Sequence, residues 1–314
     1  MEQKPFDIVG IGDADVDILL KIPRLPRHDE KIKGRIVGKL PGGVVSNFLC
    51  AASKFGARCA AMVRTGADEF GRMALEDLER HGVDTRRCIC YPDKSTYFTV
   101  SCLDESGEKC MLVCMDDETT QPAAEDLDYD FLGQTRFVHM IGTYEDLVLA
   151  VARRGKEKGF LLSLDIERQN REIPVKKIRE IASLTHIAFP NEEGIRYFTG
   201  LDDVTSGARR LLDWGCKIVV VTLGSRGVYV CTETEAFHVP AFQVPVADTT
   251  GAGDTFNASF LASLSRGRSL RQCAYLAAAS AALQIQRIGA RTGMVSMSEA
   301  EAFLQAQGIG LNQV

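Results

Sequence analysis

The chain has 314 residues, 45% hydrophobic and 25% charged, with a formal net charge of −5. That is a globular composition, long enough for one large α/β domain or two small ones, and it excludes a disulfide scaffold or a low-complexity chain. Acids and bases are interspersed without a run of Lys or Arg, so neither a nucleic-acid partner nor a membrane partner is expected.

The opening MEQKPFDIVGIG carries charges and Pro5 around a short apolar run. It has the makings of neither a signal peptide nor a membrane span, and a cytoplasmic protein is expected. FDIVGIG (Phe6–Gly12) reads as a strand, Asn47–Phe55 as a helix closed by Gly56, and RCAAMVR as a strand. Phe70, Met73, Leu75 and Leu78 set a helical period over Glu69–His81, which stops at Gly82. Next come RFVHMIG (strand), Tyr144–Lys158 (helix), FLLSLD (strand), Val175–Ser183 (helix) and THIAFP (strand). Val204–Trp214 is a helix, KIVVVTLG a strand, and Leu270–Gly289 an Ala-rich, largely buried helix. Short apolar strands alternating with helices predict an α/β fold: a doubly wound, mostly parallel sheet with helices on both faces, in a single domain over 1–314.

Two stretches break the rhythm. Residues 15–41 carry three prolines and the alternating KIKGRIVGKL. Residues 95–115 place Tyr97–Leu103 and Lys109–Met115 on either side of DESGE, a hairpin turn with Gly107. Both are assigned to a small β-sheet lid over one end of the domain. Of the ten cysteines, Cys88-x-Cys90 and Cys110-x₃-Cys114 have no companion pair at metal-ligand spacing, so reduced, structural thiols are expected.

Four segments carry chemistry. In VADTTGAGDTFNASFLASL, Gly251, Ala252 and Gly253 open a helix whose first N–H groups lack intrahelical partners, an anion hole for a phosphate. Asp254 beside it reads either as a helix cap or as a general base toward a hydroxyl attacking phosphorus. LPGGVVSN sets Gly42-Gly43 before the Asn47 helix, a second small-residue loop or an ordinary capped one. GIGDADVDILL puts Asp13, Asp15 and Asp17 on one side of an extended chain, where they hold hydroxyls, bind a cation or form a solvated edge. VVVTLGSRGVYV ends a buried strand in a turn with Gly224 and Gly227, a nucleotide-side loop or a plain hairpin.

DTTGAGDTFNASF, GGVVSNFLCAASKFGA followed by GADEFG, PNEEG and VTLGSRG occur in this order. They resemble the signatures of the ribokinase-like (PfkB-type) carbohydrate kinases over essentially the whole chain. The resemblance implies a lidded doubly wound domain that uses ATP and Mg²⁺ to phosphorylate a hydroxymethyl group of a sugar or nucleoside. Matched position by position, it makes Asp254 the catalytic base and Gly251, Ala252 and Gly253 the anion hole. Asp17, Gly43 and Asn47 match positions that hold sugar hydroxyls, with Asp13, Asp15 and Gly42 beside them. Asn191 starts the N-x-x-E motif near Mg²⁺ and the phosphates, and Thr222, Gly224 and Gly227 match the nucleotide loop. Asp248 and Thr250, with backbone near Arg287, Gly289 and Gly293, match a monovalent-cation site, which adds K⁺. There are departures. Gly194 stands where N-x-x-E has its acid, leaving Glu193 as the Mg²⁺-linked substitute. Val44 replaces the lysine after the double glycine and Asp15 an asparagine, so a plain ribose pocket is not expected.

Rival readings are weaker on the residues. A nucleoside kinase of the same family needs base stacking, for which Tyr97 and Phe98 in the lid are the candidates, whereas the acid cluster favours a polyol. A nicotinamide-dependent oxidoreductase needs a third glycine where Asp15 stands, and a helix directly after it. A non-catalytic sugar-binding protein has no use for an aspartate beside an anion hole. Arg35, Arg168 and Lys33 read as surface charges rather than anchors for an anionic sugar. The exposed lid edge invites pairing with a second lid, so a homodimer is expected.

Overall fold

A computed structural model describes residues 4–105, 108–116, 119–168 and 172–314. The strands are β1 (Phe6–Asp13), β2 (Asp15–Lys21), β3 (Arg35–Gly42), β4 (Cys59–Gly66), β5 (Ile89–Tyr91), β6 (Phe98–Leu103), β7 (Lys109–Cys114), β8 (Thr135–Ile141), β9 (Leu161–Ile166), β10 (Thr185–Pro190), β11 (Ile218–Thr222), β12 (Val228–Cys231) and β13 (Ala236–Val239). The helices are α1 (Val44–Lys54), α2 (Glu69–Arg80), α3 (Tyr129–Leu132), α4 (Glu145–Lys158), α5 (Val175–Leu184), α6 (Glu192–Thr199), α7 (Val204–Asp213), α8 (Ala252–Ser265), α9 (Leu270–Gln284) and α10 (Met297–Ala306).

Nine strands form one sheet in the order β13-β12-β11-β10-β9-β8-β1-β4-β5. Pairing is parallel from β5 to β11 and antiparallel at β12 and β13. The central strands are apolar on both faces because both are covered by helices. Along β1, Ile8 enters the core with Phe48 of α1 and Phe260 of α8, while Val9 and Ile11 enter the opposite core with Val148 of α4 and Leu211 of α7. That alternation is the pleat of a strand buried on both sides. Side chains as fully buried as Phe48 and Phe260 each contribute about 1.5–3 kcal/mol by leaving water.

The segments at 15–41 and 95–115 supply the second sheet, in the order β3-β2-β6-β7. Here β2 pairs with β6 in parallel, and β3 and β7 flank them antiparallel. Residues 106–107 of the expected DESGE turn lie outside the described residues. Two helix boundaries need correction. Helix α1 starts at Val44, not Asn47, because Gly43 turns the chain at φ 93 without any capping side chain for a sequence reading to detect. Helix α9 stops at Gln284, short of Gly289, where the Gln284 amide reaches the Gly289 carbonyl (2.8 Å) across an irregular turn. The ten cysteines are free thiols, and burial pushes that of Cys50 up to about 11. Among the described residues no helix is long and apolar enough to cross a membrane.

Candidate active site

Strands β1, β9, β10 and β11 all end on one edge of the sheet, where the N-termini of α1 and α8 also arrive. Ligands of open parallel sheets bind at this edge. The lid is tied to the same edge, because β1 runs into β2 and β3 runs into α1.

At the start of α8, Gly251 holds φ 76, a left-handed turn, and its missing Cβ is needed because one would meet the Ala290 carbonyl at 2.7 Å. No side chain caps this helix. The first intrahelical bond is Thr255 N–H to the Gly251 carbonyl (2.9 Å), so the N–H groups of Gly253 and Asp254 open at the mouth of the helix. The Ala252 N–H turns back to the Thr249 carbonyl (3.2 Å). Asp254 is therefore not the cap. Its Oδ2 accepts from the Asn47 side-chain amide of α1 (3.0 Å). Burial raises its carboxyl to about 7; Asn47 lowers it, while Glu167 and Asp13 push it further up and Arg291 opposes them.

Beyond Asp254 the acids gather. Asp13, the last residue of β1, accepts from the Val45 N–H (3.1 Å) and from the Tyr97 hydroxyl (2.7 Å). Asp17 of β2 accepts from the Thr99 hydroxyl of β6. Asp15 and Asp17 both face Gly42, as their alternation predicts. Asn47, matched above to sugar hydroxyls, spans Asp254 on one side and Arg291 on the other. The Arg291 guanidinium donates to the Asn47 side-chain oxygen (2.8 Å) and the Gly42 carbonyl (2.8 Å), and it pairs with Asp77 of α2. Of the two lid aromatics, Tyr97 is tied to Asp13, and Phe98 packs edge-on against Phe70 at 5.4 Å.

On the other side of the α8 mouth lies a cleft of about 370 Å³, lined by Thr222, Gly224, Gly227, Gly253, Phe256 and Ile285, among others. The turn at 224–227 is formally a hairpin between β11 and β12, and it is also a wall of this cleft. Asn191 caps α6 by accepting from the Gly194 N–H (2.7 Å), and Glu192 pairs with Arg226. A Cβ on Gly194 would stand 1.9 Å from the Ile166 carbonyl, so this backbone has no room for an acid there. Glu193 is exposed.

Residues 6–297 match the model of the pfkB family carbohydrate kinases. The chain belongs to that family. An uncharacterized sugar kinase of Archaeoglobus fulgidus is 32% identical over 77% of this chain and 97% of its own. A cytidine kinase of Thermococcus kodakarensis is 31% identical over 86% of this chain and 93% of its own. The structure of Arabidopsis thaliana ribokinase complexed with ribose and ATP superposes with a TM-score of 0.85 at 25% identity, covering 96% of this chain and 99% of that one. The fold is ribokinase-like, and the chain is an ATP-dependent sugar kinase.

In this pfkB kinase the 248–253 loop is firmly held. Asp248 accepts from the Thr250 N–H (3.0 Å) and hydroxyl (2.7 Å), and its other oxygen takes the Gly289 N–H (2.9 Å). The Gln284 amide draws the Thr250 (3.4 Å) and Gly289 (2.8 Å) carbonyls together. Arg287 is exposed and its N–H closes on the Gln284 carbonyl, while Gly293 packs on the Gln284 backbone. Sequence reasoning missed Arg291, Asp77, Asp165 and Glu167. Asp165 is buried at the end of β9 and accepts from Asn257 of α8 (2.9 Å). Burial, followed by the Glu167 and Asp254 charges, holds its carboxyl well above the usual range. Only Arg291 stands in a segment the resemblance pointed to, between Gly289 and Gly293, and nothing in that segment names its partners.

Proposed function

We propose that this kinase transfers the γ-phosphoryl group of ATP to a hydroxymethyl group of a sugar, with Asp254 as general base. The carrying observation is the placement of Asp254: its carboxylate is free of the helix cap, is oriented by Asn47 and lies between the acid cluster and the open N–H groups of α8. A carboxyl raised to about 7 is matched to proton abstraction near neutral pH. The sugar hydroxyl attacks phosphorus in line as Asp254 takes its proton, and the Gly253 and Asp254 N–H groups face the charge on the phosphoryl oxygens. The apolar cleft beside them suits an adenine ring, with Thr222, Gly224 and Gly227 along its wall. Asp17, Asp13 and Asp15 orient the sugar around Gly42 and Gly43. Tyr97 and Phe98 are engaged within the protein, which favours a polyol over a stacked nucleoside. Closure of the lid excludes water from the transfer.

Mg²⁺ bound with the nucleotide neutralises phosphate charge, and Glu193 is the carboxylate of the Asn191 turn that faces solvent. Asp248 with the Thr250 and Gly289 carbonyls is an oxygen-only set already drawn together by Gln284, which fits a large monovalent cation such as K⁺. That ion would steady the loop leading into the anion hole. The lid exposes Ile36 (64%), Val37 (59%), Leu112 (60%) and Val113 (57%), an apolar surface suited to a second lid in a homodimer.

ATP consumption measured against a panel of sugars, polyols and nucleosides tests the assignment. Turnover with sugars or polyols is expected, faster in KCl than in NaCl at equal ionic strength. Turnover confined to nucleosides contradicts it.

A further inference from the structure

The acceptor end of the site holds more negative charge than a neutral polyol can satisfy. Asp15 is 3% exposed, and its Oδ1 has no hydrogen-bond partner among the described residues. A Cβ built on Gly42 would meet that Oδ1 at 2.3 Å and the Asp17 Oδ2 at 2.7 Å, so the two oxygens stand together against the bare face of the glycine. Thr99 binds the other Asp17 oxygen, and the Tyr97 hydroxyl is the other polar neighbour of Asp15. Asp13 and Glu167 add negative charge from the ends of β1 and β9, and Asp254 adds it from α8. Arg291 faces this end, where one N–H goes to Asp77, which Arg80 also pairs, one to Asn47 and one to the Gly42 carbonyl. Position 44, after the double glycine, is valine. A buried carboxylate without a cation is held protonated or is completed by one.

We infer that this end of the site is built for an amine-bearing polyol, an amino sugar or aminocyclitol, whose ammonium group lies between Asp15 and Asp17 while a hydroxyl is presented to Asp254. The inference rests on the kinase reading above and specifies its substrate class. An ammonium group brings three donors and one positive charge to two carboxylates, forming charge-assisted bonds where a hydroxyl brings a single donor. A neutral sugar leaves Asp15 to be held protonated beside Asp17, and a carboxylated or phosphorylated sugar adds a further negative charge. Burial and the Asp17 and Asp13 charges push the Asp15 carboxyl well above its ordinary range, a cost the bound ammonium removes. The amine only binds; the phosphoryl group still passes to oxygen.

The test is kcat/KM for matched acceptors: D-glucose, D-glucosamine and N-acetyl-D-glucosamine; D-fructose and 1-amino-1-deoxy-D-fructose; D-gluconate as the anion. In at least one set the amine is expected to exceed its neutral partner by roughly tenfold or more, with N-acetylation removing the gain and gluconate the poorest. Asp15→Asn is expected to shrink that ratio to about threefold or less. Equal or better use of the neutral partner in every set overturns the inference, as does an amine preference that Asp15→Asn leaves intact. Turnover of no acceptor overturns it too, and an ATP titration by calorimetry then separates the two readings: ATP binding keeps the kinase, no binding removes both.

Discussion

The two halves of the cleft are made of different material. The half proposed for the nucleotide is apolar side chains and backbone: Phe256 and Ile285 beside glycine turns and the open N–H groups of α8. The half proposed for the acceptor is carboxylates held by donors from distant segments, such as Tyr97 on Asp13, Thr99 on Asp17 and Asn47 on Asp254. A half built on glycines and a helix terminus tolerates change in side chains, because the main chain carries the recognition. A half built on crossed side-chain contacts couples substrate choice to packing, because each donor also joins two elements of the fold.

Substitutions can pull the halves apart. The largest expected effect is at their junction. Asp254→Asn lowers kcat by roughly 10²–10⁴, the range for a lost general base, while ATP binding stays near normal by calorimetry. The same variant tests the electrostatics. A carboxyl raised from 3.8 to about 7 stabilises the fold below pH 4 and loses that contribution as pH rises through 7. Asp254→Asn therefore has the higher Tm at pH 8, and the difference closes on acidification.

Next is Arg291→Leu. It takes one of two arginines from Asp77, Arg80 remaining at 2.9 Å, and frees Asn47, so about 1.5–3 kcal/mol of stability is expected to be lost, read from chemical denaturation. In the fraction that remains folded, kcat falls more than the KM for ATP rises. An unchanged stability would mean the Arg291–Asp77 pair is not holding the acceptor half. Asp17→Ala follows: with Thr99 on one oxygen, one charge-assisted bond to the sugar at about 1.5–3 kcal/mol predicts a sugar KM raised roughly 10–100-fold with the KM for ATP barely moved. Equal effects on both constants would erase the division between the halves. The smallest expected effect belongs to Asp248→Ala on the nucleotide side, a few-fold loss of kcat/KM for ATP and of the K⁺ response, checked in KCl against NaCl.

The difference between the halves also explains what was legible in the sequence. GAGD, LPGG and VTLGSRG shape main chain that is local in sequence, so short strings announced the open mouth of α8 and the glycine turn that walls the cleft. The lid could be recognised because KIKGRIVGKL and the 95–115 segment depart from the βα alternation. Arg291 lies 214 residues from Asp77 and 244 from Asn47, and no local pattern encodes that meeting. Asp165 and Glu167 follow an apolar strand and read as an ordinary strand end until β9 is set beside α8. Helix α1 began earlier than expected because Gly43 carries the turn in its φ alone.

The central claim is that Asp254 is the base joining the two halves. The pH dependence of kcat/KM for the acceptor, measured at saturating ATP for the wild type and for Asp254→Asn, tests it most directly. The account predicts a wild-type rate that climbs with pH through an apparent pKa near 7 to a plateau, and a slow variant without that limb. A wild-type profile flat from pH 5 to 9, or the same limb surviving in Asp254→Asn, would contradict it.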